Sequence, residues 1–289
     1  MIEREISNSL RAETMTAALP FINKYSGKVI VVKYGGNAMS SEELKQSVME
    51  DIVLLSRVGI RIVLVHGGGP DISEMMDRMG KKPVFSDGLR VTDQETVEIV
   101  QMVLAGKVNK DLVRLLQKNG GNAIGLCGLD GKMITAKQRS EKLGFVGDVT
   151  EVNTKPILDV LDAGYIPVIS TIGVDEDSNV YNINGDTAAA EIAASLKAER
   201  MILMTDIAGV LHEKDDPSSL IAKLTVSEAK QLQEEGIISG GMIPKIRCCV
   251  NAVEKGVKAV VILDGKVPHA TVMELLTEEG AGTLITKGE

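Results

Sequence analysis

Short apolar runs rich in β-branched residues alternate with helical segments along nearly the whole chain. A strand that follows a crossover helix pairs in parallel with an earlier strand, because the helix returns the chain to the same end of the sheet. We therefore expect an α/β fold in which helices cover both faces of a mostly parallel sheet. The predicted strands of this sheet are 27–36, 60–70, 122–128, 165–171, 200–206, 257–265 and 282–288, and a hairpin is predicted at 132–138 and 144–152.

The composition excludes several classes of protein. The chain has 289 residues, 44% of them hydrophobic and 25% charged, which is typical of a globular protein with one large domain or two lobes. A net charge of -8 argues against nucleic acid as a partner. No apolar run reaches the roughly 18 residues that would indicate a membrane span, and the acidic N-terminus does not resemble a signal peptide. Cys127, Cys248 and Cys249 show no metal-ligand spacing, so we expect free thiols in a reducing cytoplasm.

Residues 3–25 are predicted to form a helix that precedes the first strand, and Pro20 is expected to kink or end it. Ile6, Leu10, Met15 and Leu19 form a loose apolar stripe on this helix. The stripe packs either on the chain's own core or on another subunit, and the sequence leaves both alternatives open.

The first strand ends in VVKYGGNAM, where Lys33 precedes Gly35 and Gly36. Ligands of open parallel sheets bind at the carboxyl ends of the strands. A buried strand has no structural need for a lysine at this point, so the cation indicates an anionic ligand beside the glycines. The alternative is a lysine that extends its ammonium group to solvent.

The second strand ends in VHGGGPDI, which places Gly67, Gly68 and Gly69 between a strand and a helix. Glycines let backbone N–H groups approach a ligand, and the N-terminal end of a helix favours an anion. A tight turn alone would need one glycine rather than three. The spacing matches neither the Rossmann nor the P-loop motif. His66, which precedes the loop, is either a base or a structural residue.

Three further segments carry candidate site residues. Arg90 in SDGLRVTD suits a carboxylate ligand, or it is an exposed surface arginine. In YNINGDTAAAEIAA, Asp186 is either a carboxylate that holds lysines or a helix N-cap, and Asn182 and Asn184 are either ligand-binding or turn residues. Lys245 in SGGMIPKI falls near the start of a helix, where the helix dipole disfavours a cation unless an anion is bound.

These residues are cations and N–H donors, without a serine-histidine-acid arrangement or a metal-binding cluster in the sequence pattern. Such a set suits phosphoryl transfer to an acceptor that is already ionised. A carboxylate acceptor needs no deprotonation, so the protein only has to position it and stabilise the charge on the transferred group.

Six motifs, in this order, resemble those of the amino-acid kinase family: VVKYGGNAM, LVHGGGP, DGLRVTD, NINGDTAAAEIA, LMTDIAGV and SGGMIPKI. The resemblance runs from about residue 27 to the C-terminus. It implies a three-layer αβα sandwich around a mainly parallel central sheet of about eight strands, with an N-terminal helical extension at 1–26. It further implies an N-terminal lobe, 27–180, for the acyl amino acid and the dimer contact, and a C-terminal lobe, 181–289, for ATP and arginine.

The resemblance implies phosphorylation of the side-chain carboxylate of N-acetyl-L-glutamate by ATP in arginine biosynthesis, with Mg²⁺ carried by the ATP phosphates. It assigns Lys33 and Lys245 to the transferring phosphoryl group and Asp186 to orienting both lysines. The residues implied for acceptor binding are Gly68, Gly69, Arg90 and Asn182, and those for nucleotide binding are Gly35, Gly36, Thr205, Asp206, Gly240, Gly241 and Met242. The alternatives are a kinase for another small carboxylate acceptor and a non-catalytic arginine sensor.

The N-terminal helix and the segment HATVMELLTEEGAGTLI resemble parts of the arginine-inhibited members of the family. The resemblance implies that the helix interlaces dimers into a homohexamer, a trimer of dimers. It also implies that Glu274 pairs with the guanidinium of L-arginine and that the loop around Gly280 accepts the rest of that effector. The alternative is an ordinary helix-turn-strand with a solvated Glu274. Binding of a PII-type signalling protein stays open.

Overall fold

The computed structural model describes residues 7–39, 41–213 and 216–288, so the predicted stripe residue Ile6 lies outside it. The strands are β1 (Val29–Tyr34), β2 (Arg61–His66), β3 (Phe85–Ser86), β4 (Leu89–Arg90), β5 (Ala123–Cys127), β6 (Ile134–Gln138), β7 (Val146–Val152), β8 (Ile166–Ser170), β9 (Ile172–Val174), β10 (Val180–Ile183), β11 (Arg200–Thr205), β12 (Lys223–Thr225), β13 (Ala259–Asp264) and β14 (Gly282–Thr286). The α-helices are α1 (Asn8–Ala17), α2 (Leu19–Tyr25), α3 (Glu42–Arg57), α4 (Gly69–Arg78), α5 (Gln94–Gln101), α6 (Asn109–Lys118), α7 (Lys155–Asp162), α8 (Gly185–Ser195), α9 (Val226–Glu234), α10 (Met242–Glu254) and α11 (Ala270–Leu276).

Eight strands form one sheet in the order β12-β14-β13-β11-β1-β2-β8-β5. The strands from β13 to β5 are mutually parallel, whereas β14 runs antiparallel to β13, and β12 is parallel to β14. The predicted mainly parallel sheet is therefore confirmed. Strand β12 is not among the predicted strands, because three residues are too few to show a periodicity.

The sheet separates two apolar cores, which gives the molecule three layers. Along β1, Ile30 and Val32 pack into one core with α3 and α6, and Val31 packs into the other with α7, α8 and α10. This alternation is the period of two that a strand imposes on its side chains. Helices therefore cover both faces of the sheet, as the sequence predicts.

Strands β6, β7, β9 and β10 close into a small four-stranded barrel. The antiparallel pair β6 and β7 is the predicted hairpin. Strands β9 and β10 are not predicted, because their polar flanks suggest turns. Asn182 pairs with Val146 of β7 and with Ile172 of β9, so its interpretation as a turn residue is wrong.

The N-terminal segment forms two helices that meet at Ala18, with Pro20 in the first turn of the second. The predicted kink is confirmed, since a helix tolerates proline in its first turn but not in its interior. No residue of α1 is buried, and Leu10, Met15 and Leu19 are 52%, 78% and 56% exposed. The three stripe residues that the structure describes therefore do not pack on the chain's own core.

The predicted long helix after residue 92 consists of α5, a π-helical segment at Met102–Val108, and α6. Leu104 and Val108 of this segment are buried, and a Cβ at Gly68 would lie 2.7 Å from the first and 3.2 Å from the second. The π-helical segment thus forms one wall of the glycine loop. Across the described part of the chain, no helix is long and apolar enough to cross a membrane.

Candidate active site

Three parts of the chain meet around the ammonium group of Lys33, at the carboxyl end of β1. A Cβ at Gly35 would lie 2.8 Å from Lys33 Nζ, and one at Gly185 would lie 3.4 Å from Lys33 Cε. The same Cβ at Gly185 would lie 3.9 Å from the Gly67 backbone. These glycines leave the space that the lysine fills. Its side chain is 10% exposed, so it does not extend into solvent.

The carboxylate of Asp186 pairs with both candidate lysines. Lys33 Nζ lies 2.8 Å from Oδ1, and Lys245 Nζ lies 3.4 Å from Oδ2. Burial raises the pKa of Asp186, but the positive charges of the two lysines outweigh this effect and hold the pKa below its usual value. Two ammonium groups and one carboxylate leave one net positive charge at this point.

The local sequence explains why Asp186 is available to the lysines. Asn184 is the N-cap of α8, and its side-chain oxygen accepts from the N–H groups of Asp186 and Thr187. The interpretation of Asp186 as the N-cap is therefore wrong. Helices α8 and α10 pack against each other, and Lys245 lies in the first turn of α10, as predicted.

A cavity of about 150 Å³ is lined by Gly68, Gly69, Arg90 and Asn182, the residues predicted to bind the acceptor. Arg90 is 6% exposed, and its Nη2 donates to Gly69 O at 2.9 Å and to Ser73 Oγ at 2.8 Å. Its interpretation as a surface arginine is therefore wrong. The structure thus brings together four residues from three separate motifs.

Two threonines beside these residues are missing from the predicted site: Thr92 bonds to two of them, and Thr171 lines the cavity with them. Asn182 Nδ2 donates to Thr92 Oγ1 at 3.4 Å, and that hydroxyl donates to Arg90 O at 2.8 Å. Thr171 is 1% exposed and lines the cavity. It follows the last residue of β8, so the rule that ligands bind at the carboxyl ends of strands would have found it. Thr92 shows no comparable signal.

The predicted nucleotide residues lie at the ends of two neighbouring strands and at the start of α10. The turn Gly36–Met39 packs against β11, whose last residue, Thr205, is buried. The Thr205 hydroxyl donates to the exposed Asp206 at 3.1 Å. These residues share one edge of the sheet, although Thr205 and Asp206 line neither the acceptor cavity nor the larger one beside it.

That larger cavity, about 490 Å³, adjoins the acceptor cavity at Gly88, Leu89 and Asn184 and contains Asp186 and Lys245. The GGM motif borders it: Gly241 lines the cavity, Gly240 has a φ of 56°, and Met242 is the first residue of α10. The positive φ at Gly240 requires glycine there. Lys245 and Asp186 therefore line the wider cleft, and Lys33 lies beside Gly185, which lines the smaller cavity.

His66 does not have the geometry of a base. It is fully buried, with Nδ1 2.9 Å from Gly67 O and Nε2 3.1 Å from Asn109 Nδ2. Burial lowers the pKa of His66 to about 4. Both ring nitrogens are occupied, so His66 is a structural residue.

Another carboxylate, Glu274, is buried and lies on α11. Its Oε1 lies 2.6 Å from Arg200 Nη1, and its Oε2 accepts from the Ala281 N–H at 2.8 Å. A Cβ at Gly280 would lie 2.8 Å from Oε2, and the φ of Gly280 is 70°, so glycine is required. The Arg200 guanidinium also stacks on the ring of Tyr25 in α2. The interpretation of Glu274 as a solvated side chain is therefore wrong.

Comparison with known proteins agrees with this architecture. The profile of the amino acid kinase family matches residues 28–264. The chain is 54% identical to the acetylglutamate kinase of Clostridium kluyveri over 276 residues, which cover 95% of this chain and 98% of that protein. It therefore belongs to the amino acid kinase family. Its identity to acetylglutamate kinases over nearly the full length shows further that it is a kinase.

Solved structures show the same fold. N-acetylglutamate synthase from Neisseria gonorrhoeae, complexed with coenzyme A and N-acetyl-glutamate, aligns over 96% of this chain with a TM-score of 0.84 and 28% identity. The same synthase complexed with coenzyme A and L-arginine aligns over 96% of this chain with a TM-score of 0.78 and 26% identity. This chain spans only 64% and 65% of the two synthase chains.

Proposed function

We propose that this kinase transfers the γ-phosphoryl group of ATP to the side-chain carboxylate of N-acetyl-L-glutamate in arginine biosynthesis. The observation that carries the proposal is the sharing of Asp186 by Lys33 and Lys245 beside a cavity that holds Arg90 and Asn182. The names of the relatives at 54% and 53% identity support the acceptor, and the pathway is the one that the resemblance of the motifs implies.

In the proposed reaction, a carboxylate oxygen of the acceptor attacks the γ-phosphorus, and the bond to the β–γ bridging oxygen breaks. The products are N-acetyl-L-glutamyl 5-phosphate and ADP, and no proton has to move. Lys33 and Lys245 stabilise the charge on the transferring group, and Asp186 holds both ammonium groups in place. The buried, neutral His66 agrees with a reaction that needs no base.

Substrate binding in this proposal uses the acceptor cavity. Arg90 holds the α-carboxylate, Asn182 contacts the other polar groups, and the N–H groups of Gly68 and Gly69 meet the acceptor and the phosphoryl group. Neither N–H has a hydrogen-bond partner among the residues that the structure describes, and both glycines line the cavity. Such unpaired N–H groups at the start of a helix suit an anion.

The nucleotide is assigned to the edge formed by Gly35, Gly36, Thr205, Asp206 and the GGM motif at 240–242. Mg²⁺ would be carried by the ATP phosphates, whose charge it would neutralise during transfer. In residues 7–39, 41–213 and 216–288, no three His, Cys, Asp or Glu side chains are placed to hold a metal ion. Asp186 itself is already paired with two lysines.

L-Arginine is proposed as a feedback inhibitor that binds at Glu274 and Gly280. Glu274 is a buried carboxylate whose ion-pair partner, Arg200, also contacts Tyr25 of α2. A ligand at this point would therefore act on the N-terminal helices as well as on α11. A related synthase at 26% identity has been solved in complex with L-arginine, which supports the choice of this ligand.

The proposed assembly is a homohexamer in which the exposed stripe of α1 joins dimers. The proposed lobes, 27–180 and 181–289, each contribute one half of the main sheet, because β5, β8, β2 and β1 come from the first and the other four strands from the second. The dimer contact is assigned to the first lobe. A cytoplasmic location and a PII-type partner stay predictions.

The test is an ADP-release assay with ATP, Mg²⁺ and N-acetyl-L-glutamate, run with and without L-arginine. We expect ADP release that L-arginine suppresses. Release that is indifferent to L-arginine would keep the kinase assignment and reject the regulatory site. If ADP is released with glutamate, aspartate or carbamate but not with N-acetyl-L-glutamate, the proposed acceptor is rejected.

A further inference from the structure

The imidazole of His66 links the glycine loop, residues 67–69, to the helix on the other side of it. His66 Nδ1 lies 2.9 Å from Gly67 O, and Nε2 lies 3.1 Å from Asn109 Nδ2. The proposed reaction uses neither nitrogen. A buried imidazole with both nitrogens bonded, directly before a ligand-binding loop, therefore points to another function.

The side chain of Asn109 determines which ring nitrogen carries the proton. The Lys110 ammonium donates to Asn109 Oδ1 at 3.0 Å, so it is the amide nitrogen that faces His66 Nε2. An amide nitrogen offers no acceptor, so a proton on Nε2 would have no partner there, and the ring proton is assigned to Nδ1. The Nδ1–H group therefore donates to Gly67 O. Burial lowers the pKa of His66 to about 4, which keeps the ring neutral near pH 7.

Asn109 is anchored to β8, which pairs with β2, and to β5, which pairs with β8. Its Nδ2 lies 2.8 Å from Val168 O in β8 and 3.2 Å from Leu126 O in β5. A Cβ at Gly125 would lie 1.9 Å from Asn109 Oδ1, so only glycine leaves room for the amide. The side chain thus ties three neighbouring strands together and presents its nitrogen to His66.

The π-helical segment that precedes Asn109 holds the loop from a second side. Leu104 and Val108 occupy the space beside Gly68, and Lys107 Nζ lies 2.5 Å from Asp71 Oδ1 in the first turn of α4. The helix from α5 to α6 therefore contacts the loop, the helix after it and the imidazole before it.

We propose that His66 and Asn109 are positioning residues that set the direction of the Gly68 N–H group. The carbonyl of Gly67 and the N–H of Gly68 belong to one rigid peptide plane and point in opposite directions. The hydrogen bond from His66 to Gly67 O therefore aims the Gly68 N–H at the phosphoryl group. This inference rests on the proposed function, in which that N–H meets the transferring group.

Two substitutions at His66 separate this function from a general contribution to stability. His66→Asn places an amide nitrogen near the Nδ1 position and keeps a donor for Gly67 O, but it leaves the larger void. His66→Gln fills the void better and reaches the Nε2 position, but it has no donor for Gly67 O. If His66 contributes only to stability, His66→Asn should be the more impaired variant. If His66 orients the loop, His66→Gln should be the more impaired variant.

We expect His66→Gln to lower kcat by about 10²-fold while KM for ATP changes little, because misplacing a catalytic group by about 1 Å has an effect of that size. We expect His66→Asn to keep most of the wild-type kcat despite a lower unfolding midpoint. Losses of kcat that follow the unfolding midpoints, with His66→Asn the worse variant, would overturn the proposal.

Hydrogen-deuterium exchange of residues 67–72 gives a readout that does not depend on activity. His66→Gln should speed exchange in this segment, and His66→Asn should not. If the wild type releases no ADP with any acceptor, the proposed function fails, yet the exchange rates still decide whether His66 fixes the loop. Equal exchange in both variants and the wild type would reject that link.

Gly125→Ala tests Asn109 without altering His66 or the loop, because the added Cβ would displace the Asn109 amide. The matched control is Gly106→Ala in the π-helical segment, where an added Cβ meets nothing within 4 Å. We expect Gly125→Ala to lower kcat and to speed exchange at 67–72, as His66→Gln does. Behaviour like that of Gly106→Ala would exclude Asn109 from the positioning network.

Discussion

Two carboxylates of the molecule, Asp186 and Glu274, lie in similar surroundings but have pKa values shifted in opposite directions. Their side chains are 18% and 6% exposed. Asp186 pairs with Lys33 near the carboxyl end of β1, and Glu274 pairs with Arg200 at the amino end of β11, the neighbouring strand. The pKa of Asp186 lies below its usual value, whereas the pKa of Glu274 lies above it.

The difference comes from the number of positive charges around each group. Burial raises the pKa of both carboxyls. Two lysines outweigh this effect at Asp186, whereas one guanidinium and the Ala281 N–H offset it only partly at Glu274. The first site therefore has a positive charge to spare and suits an anion. The second would gain from a further cation, which suits the guanidinium group of the proposed effector.

The largest expected effect follows from removing the spare positive charge. Lys33→Met and Lys245→Ala should each lower kcat by roughly 10²–10³-fold, because each removes a fixed charge that stabilises the transition state. Substrate KM should change far less, since the contacts at Arg90 and Asn182 stay. Steady-state kinetics with ATP and N-acetyl-L-glutamate measure both constants.

Lys81→Met is the matched control for these variants. Lys81 also lies between two carboxylates, Asp93 and Glu95, at 2.7 Å from each, but at the surface. Ion pairs in solvent contribute little, so kcat should stay at the wild-type value. Equal losses in Lys33→Met and Lys81→Met would show that the buried lysine has no special function in catalysis.

The next effect concerns the second carboxylate. Glu274→Gln keeps the shape of the side chain but removes the charge that would pair with the guanidinium group. The L-arginine concentration for half-inhibition should rise at least about 10-fold, since a charged hydrogen bond contributes roughly 1.5–3 kcal/mol. Glu278→Gln, at an exposed position in the next loop, is the control and should leave inhibition unchanged. Unaltered inhibition in Glu274→Gln would place the effector elsewhere.

The first of the two sites could largely be predicted from the sequence. Lys33, Asp186 and Lys245 are far apart in the chain, yet each lies within a few residues of a glycine or asparagine motif at a strand end or helix start. Because parallel strands end at one edge of a sheet, the fold class alone predicts that such residues approach one another. The six motifs in order then add the family.

Other contacts could not be predicted, because they depend on how helices pack on the sheet. Asn109 lies in the interior of a helix and has no motif around it, and the three partners of its amide nitrogen come from β2, β5 and β8. Arg200 begins an ordinary apolar strand, so nothing in its neighbourhood indicates the pairing with Glu274. Strands β9, β10 and β12 are too short for a period to show.

The smallest expected effect tests the opposite pKa shifts directly. The folded-state pKa of Asp186 lies below the usual 3.8, so its ionisation stabilises the fold above that pH, and this contribution is lost as pH falls through the folded pKa. The folded-state pKa of Glu274 lies above the usual 4.5, so the unfolded chain loses that proton first. Stability therefore decreases as pH rises from 4.5 through the folded pKa.

Two neutral variants should consequently show opposite trends in urea unfolding between about pH 3 and pH 7. The destabilisation by Asp186→Asn should grow as pH rises, because the wild type gains a contribution that the variant lacks. The stability of Glu274→Gln relative to the wild type should improve as pH rises, because the variant escapes the cost of ionising a buried carboxyl. The attraction of the Arg200 guanidinium is already part of the folded-state pKa of Glu274, so the sign of the second slope follows from that pKa alone. If the stability differences of both variants from the wild type changed with pH in the same direction, the second lysine at Asp186 would not explain the opposite pKa shifts of the two carboxyls.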